Sequence, residues 1–128
     1  MDKRTVEILK RFSESWDETE IFVQELIETN PEFEGFKQFK QFINGQRNAG
    51  EDKYFRLGTS VCRLLFSRSV VHGLRRDQKS ILIEAIGRDG FEVSLRDGDK
   101  IYREYRIKSL NDEKLLALFE TLRHTLVD

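Results

Sequence analysis

The sequence has a single cysteine, Cys62, so no intramolecular disulfide framework can hold the chain together. It has one proline, Pro31, and no apolar run approaching the ~20 residues of a membrane-spanning helix. Metal and nucleotide motifs are missing as well: there is no CxxC, no HExxH, no acidic calcium loop and no glycine-rich phosphate loop. His72 and Cys62 would stand roughly 15 Å apart on one helix, too far to share an ion. His72 and His124 can meet only through tertiary folding. The start, Met1-Asp2-Lys3-Arg4, leads into an alternating polar and apolar pattern instead of a signal-peptide core. A cytosolic, non-membrane protein without a cofactor is the expectation. Net charge is also scarce, at −1 with a pI of about 6.2, which provides no general attraction to nucleic acid or membrane.

What is present is charge of both signs and aromatic carbon. Charged residues make up 35% and hydrophobic residues 38%, yet the ten Phe, three Tyr and one Trp argue against disorder. At 128 residues, a single domain over 1–128 is expected.

The pattern predicts an α+β fold. Val6, Leu9, Phe12 and Trp16 follow helical spacing, and Phe22, Val23, Leu26 and Ile27 form a second such cluster. Asp17-Glu18-Thr19-Glu20 between them resembles a capping box, leaving one long helix or two. Asn30-Pro31 reads as the cap and first turn of the next helix. That helix carries Phe33, Phe36, Phe39, Phe42 and Ile43 as a core-facing stripe, and Asn44-Gly45 reads as its stop. Residues 53–76 are ambiguous. The preferred reading is a short extended entry or extra strand near 53–58, then a helix over 59–73 ending at Gly73. The alternative is two strands, Tyr54–Leu57 and Cys62–Phe66.

A three-stranded antiparallel meander follows. Ile81, Ile83 and Ala85 alternate with other residues, as do Phe91, Val93 and Leu95, and Ile101, Arg103, Tyr105 and Ile107. Two Arg-Asp-Gly connections, at 88–90 and 96–98, suit three-residue turns that end on a left-handed glycine. They would pair Ala85 with Val93, Ile83 with Leu95, and Val93 with Ile101. Ser109-Leu110-Asn111-Asp112 then reads as a capping box for a C-terminal helix, with Leu115, Leu116, Leu118, Phe119 and Leu122 packed on the sheet.

No constellation specifies a reaction. Cys62 and Arg68 have the C-x5-R spacing of a cysteine phosphatase loop, but residues 63–67 lack glycine and carry three large apolar side chains that want burial. On a helix, Cys62 would sit in the first turn beside Arg63, which would favour its thiolate. The plainer reading is a small buried apolar residue.

The charge distribution is the informative feature. Residues 53–76 contain Lys53, Arg56, Arg63, Arg68, Arg75 and Arg76 and no acid, while residues 13–34 contain eight acids and no base. If the two runs neutralise each other in the fold, they carry no function. If they stand apart, the leading expectation is a non-catalytic interaction or regulatory module that binds a protein partner through a charged surface. Self-association, head to tail, is a related expectation. The alternative is nucleic-acid or anion binding by 53–79, with Arg63, Arg68, Arg75, Arg76 and Lys79 on phosphates. A near-neutral total and an acidic pole both disfavour it.

Overall fold

The computed structural model describes residues 2–70, 78–87 and 90–125. Its elements run α1 (Lys3–Thr29), α2 (Glu34–Asn48), a 3-10 turn at Glu51–Lys53, β1 (Arg56–Ser60), β2 (Arg63–Ser67), β3 (Lys79–Ile86), β4 (Gly90–Asp97), β5 (Lys100–Ile107) and α3 (Glu113–Arg123). The five strands form one antiparallel sheet in sequence order. The class is therefore α+β, with N-terminal helices, a meander and a C-terminal helix, but the meander has five strands. Among the described residues no helix is long and apolar enough to cross a membrane.

The helix expected over 59–73 is replaced by β2 and part of β1, close to the two-strand alternative; Gly73 lies outside the described residues. The reason is burial on both sides. Leu64, Leu65 and Phe66 are all buried, so the consecutive apolar run fits a strand inside the sheet. On a helix, three successive residues would point 100° apart and could not all be covered. The sheet supplies the partners, because Leu57, Phe66, Ile81 and Leu95 form one cross-strand row. Thr59, Leu64, Ile83, Val93 and Tyr105 form the next.

This face is the core. The side chains of Phe36, Phe39 and Phe42 from α2, and of Leu115, Leu118, Phe119 and Leu122 from α3, cover it in one cluster. Phe66 meets Phe119 edge to face at 4.8 Å, and Phe39 lies 5.8 Å from Phe91. The phenylalanine stripe is thus core packing, and α3 does lie on the sheet.

The register differs from expectation by an even number of residues. Ala85 pairs with Phe91, Ile83 with Val93, and Val93 with Tyr105. An even shift keeps the β3 and β4 side chains on their expected faces, which is why alternation alone could not reveal it. The turns explain it. Among the described residues of the first connection Gly87 is left-handed, at φ 58°, while Gly90 is already paired in β4. In the second, Gly98 (φ 63°) and Asp99 make a two-residue turn. A bulge opposite Leu95 and Arg96 moves Ile101 out of the core-face alternation, and it is exposed.

The helix ends also shift. α1 is continuous through 17–20, and its C-cap is Asn30, whose side chain donates to the Leu26 carbonyl at 3.0 Å. Neither Asn30 nor Pro31 begins α2. That helix passes through Asn44-Gly45 and ends before the left-handed Gly50. Asp112, not Ser109, caps α3 by accepting from the Lys114 amide at 2.8 Å.

The β1–β2 turn consists of Val61 and Cys62, and Val61 has φ 61°. A left-handed first residue is the position where this turn favours glycine. Left-handed backbone costs an L-residue roughly 1–2 kcal/mol. Val61 is 80% exposed and recovers little of that by burial. Val61→Gly is therefore expected to stabilise the fold by about 1 kcal/mol after the added chain entropy of glycine. A thermal melt should show a rise of roughly 3 °C; a fall would mean the strain is not real.

Candidate functional site

The edge strand β1 is where α1 and the sheet meet. Ser15 and Thr19 are buried on one face of α1. The Leu57 amide donates to Ser15 Oγ at 3.0 Å, and Thr19 Oγ1 donates to the Leu57 carbonyl at 3.2 Å. Next to Ser15, Trp16 Nε1 donates to the Phe55 carbonyl at 2.8 Å. Small hydroxyls inside an otherwise apolar stripe thus satisfy part of an open strand edge.

The basic run is dispersed by the sheet. Arg63 opens β2 beside the turn, whereas Arg68 follows its far end, roughly 16 Å along extended chain. The β2–β3 register ends on Ser67 paired with Ser80, so Arg68 and Lys79 both lie at that end of the pair. Arg75 and Arg76 lie outside the described residues. The described arginines of this run also hold the chain together. Arg56 Nη1 donates to the Val70 carbonyl at 3.0 Å, Arg63 Nε to Ser60 at 3.2 Å, and Arg68 Nη1 to Tyr54 at 3.1 Å. Burial, reinforced by the nearby Arg123 charge, holds the Arg68 guanidinium below its ordinary value. Arg123 itself lies over the Tyr54 ring at 4.4 Å and donates to both Glu51 oxygens at 2.6 Å.

Cys62 is exposed in the hairpin turn, neither buried nor at a helix start. It stands roughly 20 Å from Arg68 along the extended strand, so the two cannot clamp one phosphate. His124 contacts Glu120 at 3.0 Å, and His72 lies outside the described residues. Among the described residues no cluster of three or more His, Cys, Asp or Glu is placed to hold a metal ion.

The acidic run behaves differently. With α1 continuous, Asp17 and Glu18 lie three and four residues after Glu14, Ile21 lies four and three after them, and Glu25 and Glu28 follow at steps of four and three; all six are exposed. They form one stripe on the side away from Phe12, Trp16 and Val23. Ile21, 63% exposed, sits in the middle of it. The sequence reading missed Ile21; the signal was available in its spacing from the surrounding acids. Beside the stripe a groove of about 480 Å³ separates α1 from α2, with Val23 and Ile43 among its walls and Lys40 and Glu25 at its rim.

No ion pair among the described residues joins 13–34 to 53–70. The acids that are paired use α2 instead. Arg47 binds Asp17 at 2.7 Å and Glu20 at 3.3 Å, and Lys37 binds Glu34 at 3.1 Å. Glu14, Glu18, Glu25 and Glu28 have no ion-pair partner among the described residues. Compared with protein-family models, curated proteins and solved structures, the chain matches none.

Proposed function

We propose that this protein is a non-catalytic interaction module whose acidic α1 stripe binds a basic surface of a protein partner. One observation carries the reading. Five exposed carboxylates surround an exposed isoleucine on a single helical face, and the basic run does not neutralise them among the described residues. Acidic residues steer a basic partner and fix its register, while an apolar anchor in their midst provides the desolvated contact that dominates affinity. Helix α1, about 40 Å long, presents this face on a rigid element. The same stripe would repel a polyanion, and the described arginines of 53–70 already donate to backbone carbonyls. That favours a protein partner over nucleic acid.

The test is co-purification from a native source at low and high salt, followed by affinity measurement with the partner recovered. Ile21→Ala is expected to cost about 2 kcal/mol, roughly 30-fold in Kd. Combined Glu14→Lys, Glu18→Lys and Glu25→Lys should abolish binding at low salt. Sedimentation of wild type and triple variant separates a foreign partner from a second copy. A partner insensitive to the stripe variants, or recovery of nucleic acid instead, would overturn the reading.

A further inference from the structure

A second feature lies where α1 stops covering β1, and it does not depend on the reading above. In an edge strand, alternate residues turn their N–H and C=O away from the sheet. Leu57 does so and is met by Ser15 and Thr19. Thr59, two residues on, has the same outward orientation. The next α1 positions are Phe22 and Val23, which carry no polar atom, so the Thr59 amide and carbonyl have no partner among the described residues.

A cleft of about 230 Å³ opens at this place, with Glu18 and Phe22 of α1 on one wall and Arg56, Thr59, Leu65 and Ser67 on the sheet side. Its opening over the sheet results from Gly58, because a Cβ there would meet no atom within 4 Å. The charges on the two walls are opposite, and neither makes an ion pair among the described residues. Arg56 donates to the Val70 carbonyl and has no carboxylate within ion-pair distance among the described residues, and Glu18 has no cation within that distance among them. Burial depresses the Arg56 guanidinium below its ordinary value, while the Glu18 charge acts the other way and Arg11 adds to the depression.

We infer that this cleft binds a small zwitterion, an α-amino acid with an apolar side chain. An anion alone would face Glu18, and a cation alone would face Arg56. A molecule carrying carboxylate and ammonium side by side satisfies both walls at once. The Thr59 amide suits the carboxylate and its carbonyl suits the ammonium, while Phe22 and Leu65 receive the side chain. The cleft, about 230 Å³ and open on one side, is many times the space one bound water needs and leaves room for one leucine. For a ligand of this size the affinity falls in a range of roughly 10 µM to 1 mM.

The experiment is an NMR titration of the isotope-labelled full chain with L-leucine, isovalerate and isoamylamine. Leucine is expected to shift the amides of Glu18, Arg56 and Thr59 saturably, with each single-charge analogue at least about 30-fold weaker, the worth of one charge-assisted contact. Arg56→Gln and Glu18→Gln should each weaken leucine at least about tenfold. Gly58→Val fills the cleft without touching either charge; it should abolish binding while leaving the melting temperature unchanged or higher. Absence of saturation by about 20 mM leucine, far above the expected range, would overturn the inference. So would equal affinity for isovalerate, shifts confined to other residues, or leucine binding that survives Gly58→Val. Arg56→Gln and Gly58→Val leave the acidic stripe intact, so a partner held by α1 is retained in both, and the two proposals fail separately.

Discussion

Trp16→Ala is expected to lower the unfolding free energy by about 4 kcal/mol, the usual cost of deleting a large buried aromatic side chain. Trp16 is wholly inaccessible and stands where three parts of the fold converge. Its ring meets Phe66 of β2 edge to face at 5.8 Å, and its Nε1 bonds the Phe55 carbonyl just before β1. Truncation therefore opens a cavity and removes the donor from a buried carbonyl, and the second effect accounts for ~1–3 kcal/mol of the loss unless water enters. Domains of this size have only about 5–15 kcal/mol in total, so the variant is close to unfolding at room temperature. Trp16→Phe separates the two effects, because it keeps an aromatic ring but not the donor; about half the loss is expected. Urea denaturation followed by circular dichroism measures both, since the substitution removes the only tryptophan. A loss below about 1.5 kcal/mol for the alanine variant would show that α1 is not anchored to the sheet through this residue.

The elements legible in the sequence were those in which local period and burial agree. Phe36, Phe39 and Phe42 have helical spacing and all face the sheet. Ile81 and Ile83 alternate and face α2 and α3. Residues 59–67 were not legible, because Leu57, Val61, Leu64 and Leu65 fit a helical face as well as a strand. Only the neighbouring strands, which pair Leu64 with Ile83 and Phe66 with Ile81, decide between them. Turn chemistry misled in another way. Of two identical Arg-Asp-Gly triplets, one ends on Gly90, already paired in β4, and the other on the left-handed Gly98, with Gly87 left-handed ahead of the first.

The candidate sites divide along the same line. The acidic stripe needs α1 to be one helix, which the sequence left open between one helix and two; with α1 continuous, the spacing from Glu14 to Glu28 places it. The cleft was hidden, because it arises where Ser15 and Thr19 meet Leu57, some forty positions away in the chain. Charge counting grouped Arg63 with Arg68, and the extended strand between them placed the two at opposite ends of β2. A sum of charges over a segment has physical meaning only after the segment's shape is known: on α1 the acids share one face, whereas β2 separates the arginines.

Gly35→Ala should destabilise the protein by about 1–3 kcal/mol, although alanine is the better helix former. Gly35 lies in the first turn of α2, buried against β3. A Cβ built there would stand 2.6 Å from the Ala85 Cβ and 3.2–3.3 Å from the Phe33 ring. Carbon atoms prefer roughly 3.5–4.0 Å, so α2 would have to lift from the sheet by about 1 Å. The gain in helix propensity, about 1 kcal/mol, is smaller than the packing lost by that displacement along Phe36 and Phe39. The Ala85 side chain is the nearest obstacle, and it gives the test its sharpness. Ala85→Gly alone should cost about 1 kcal/mol in strand propensity, and the double variant should recover at least about 1 kcal/mol relative to the sum of the single losses. Chemical denaturation of all four proteins closes the cycle. Strictly additive losses would mean that the helix and strand do not touch at these two positions, and that α2 sits farther from β3 than the 2.6 Å contact requires.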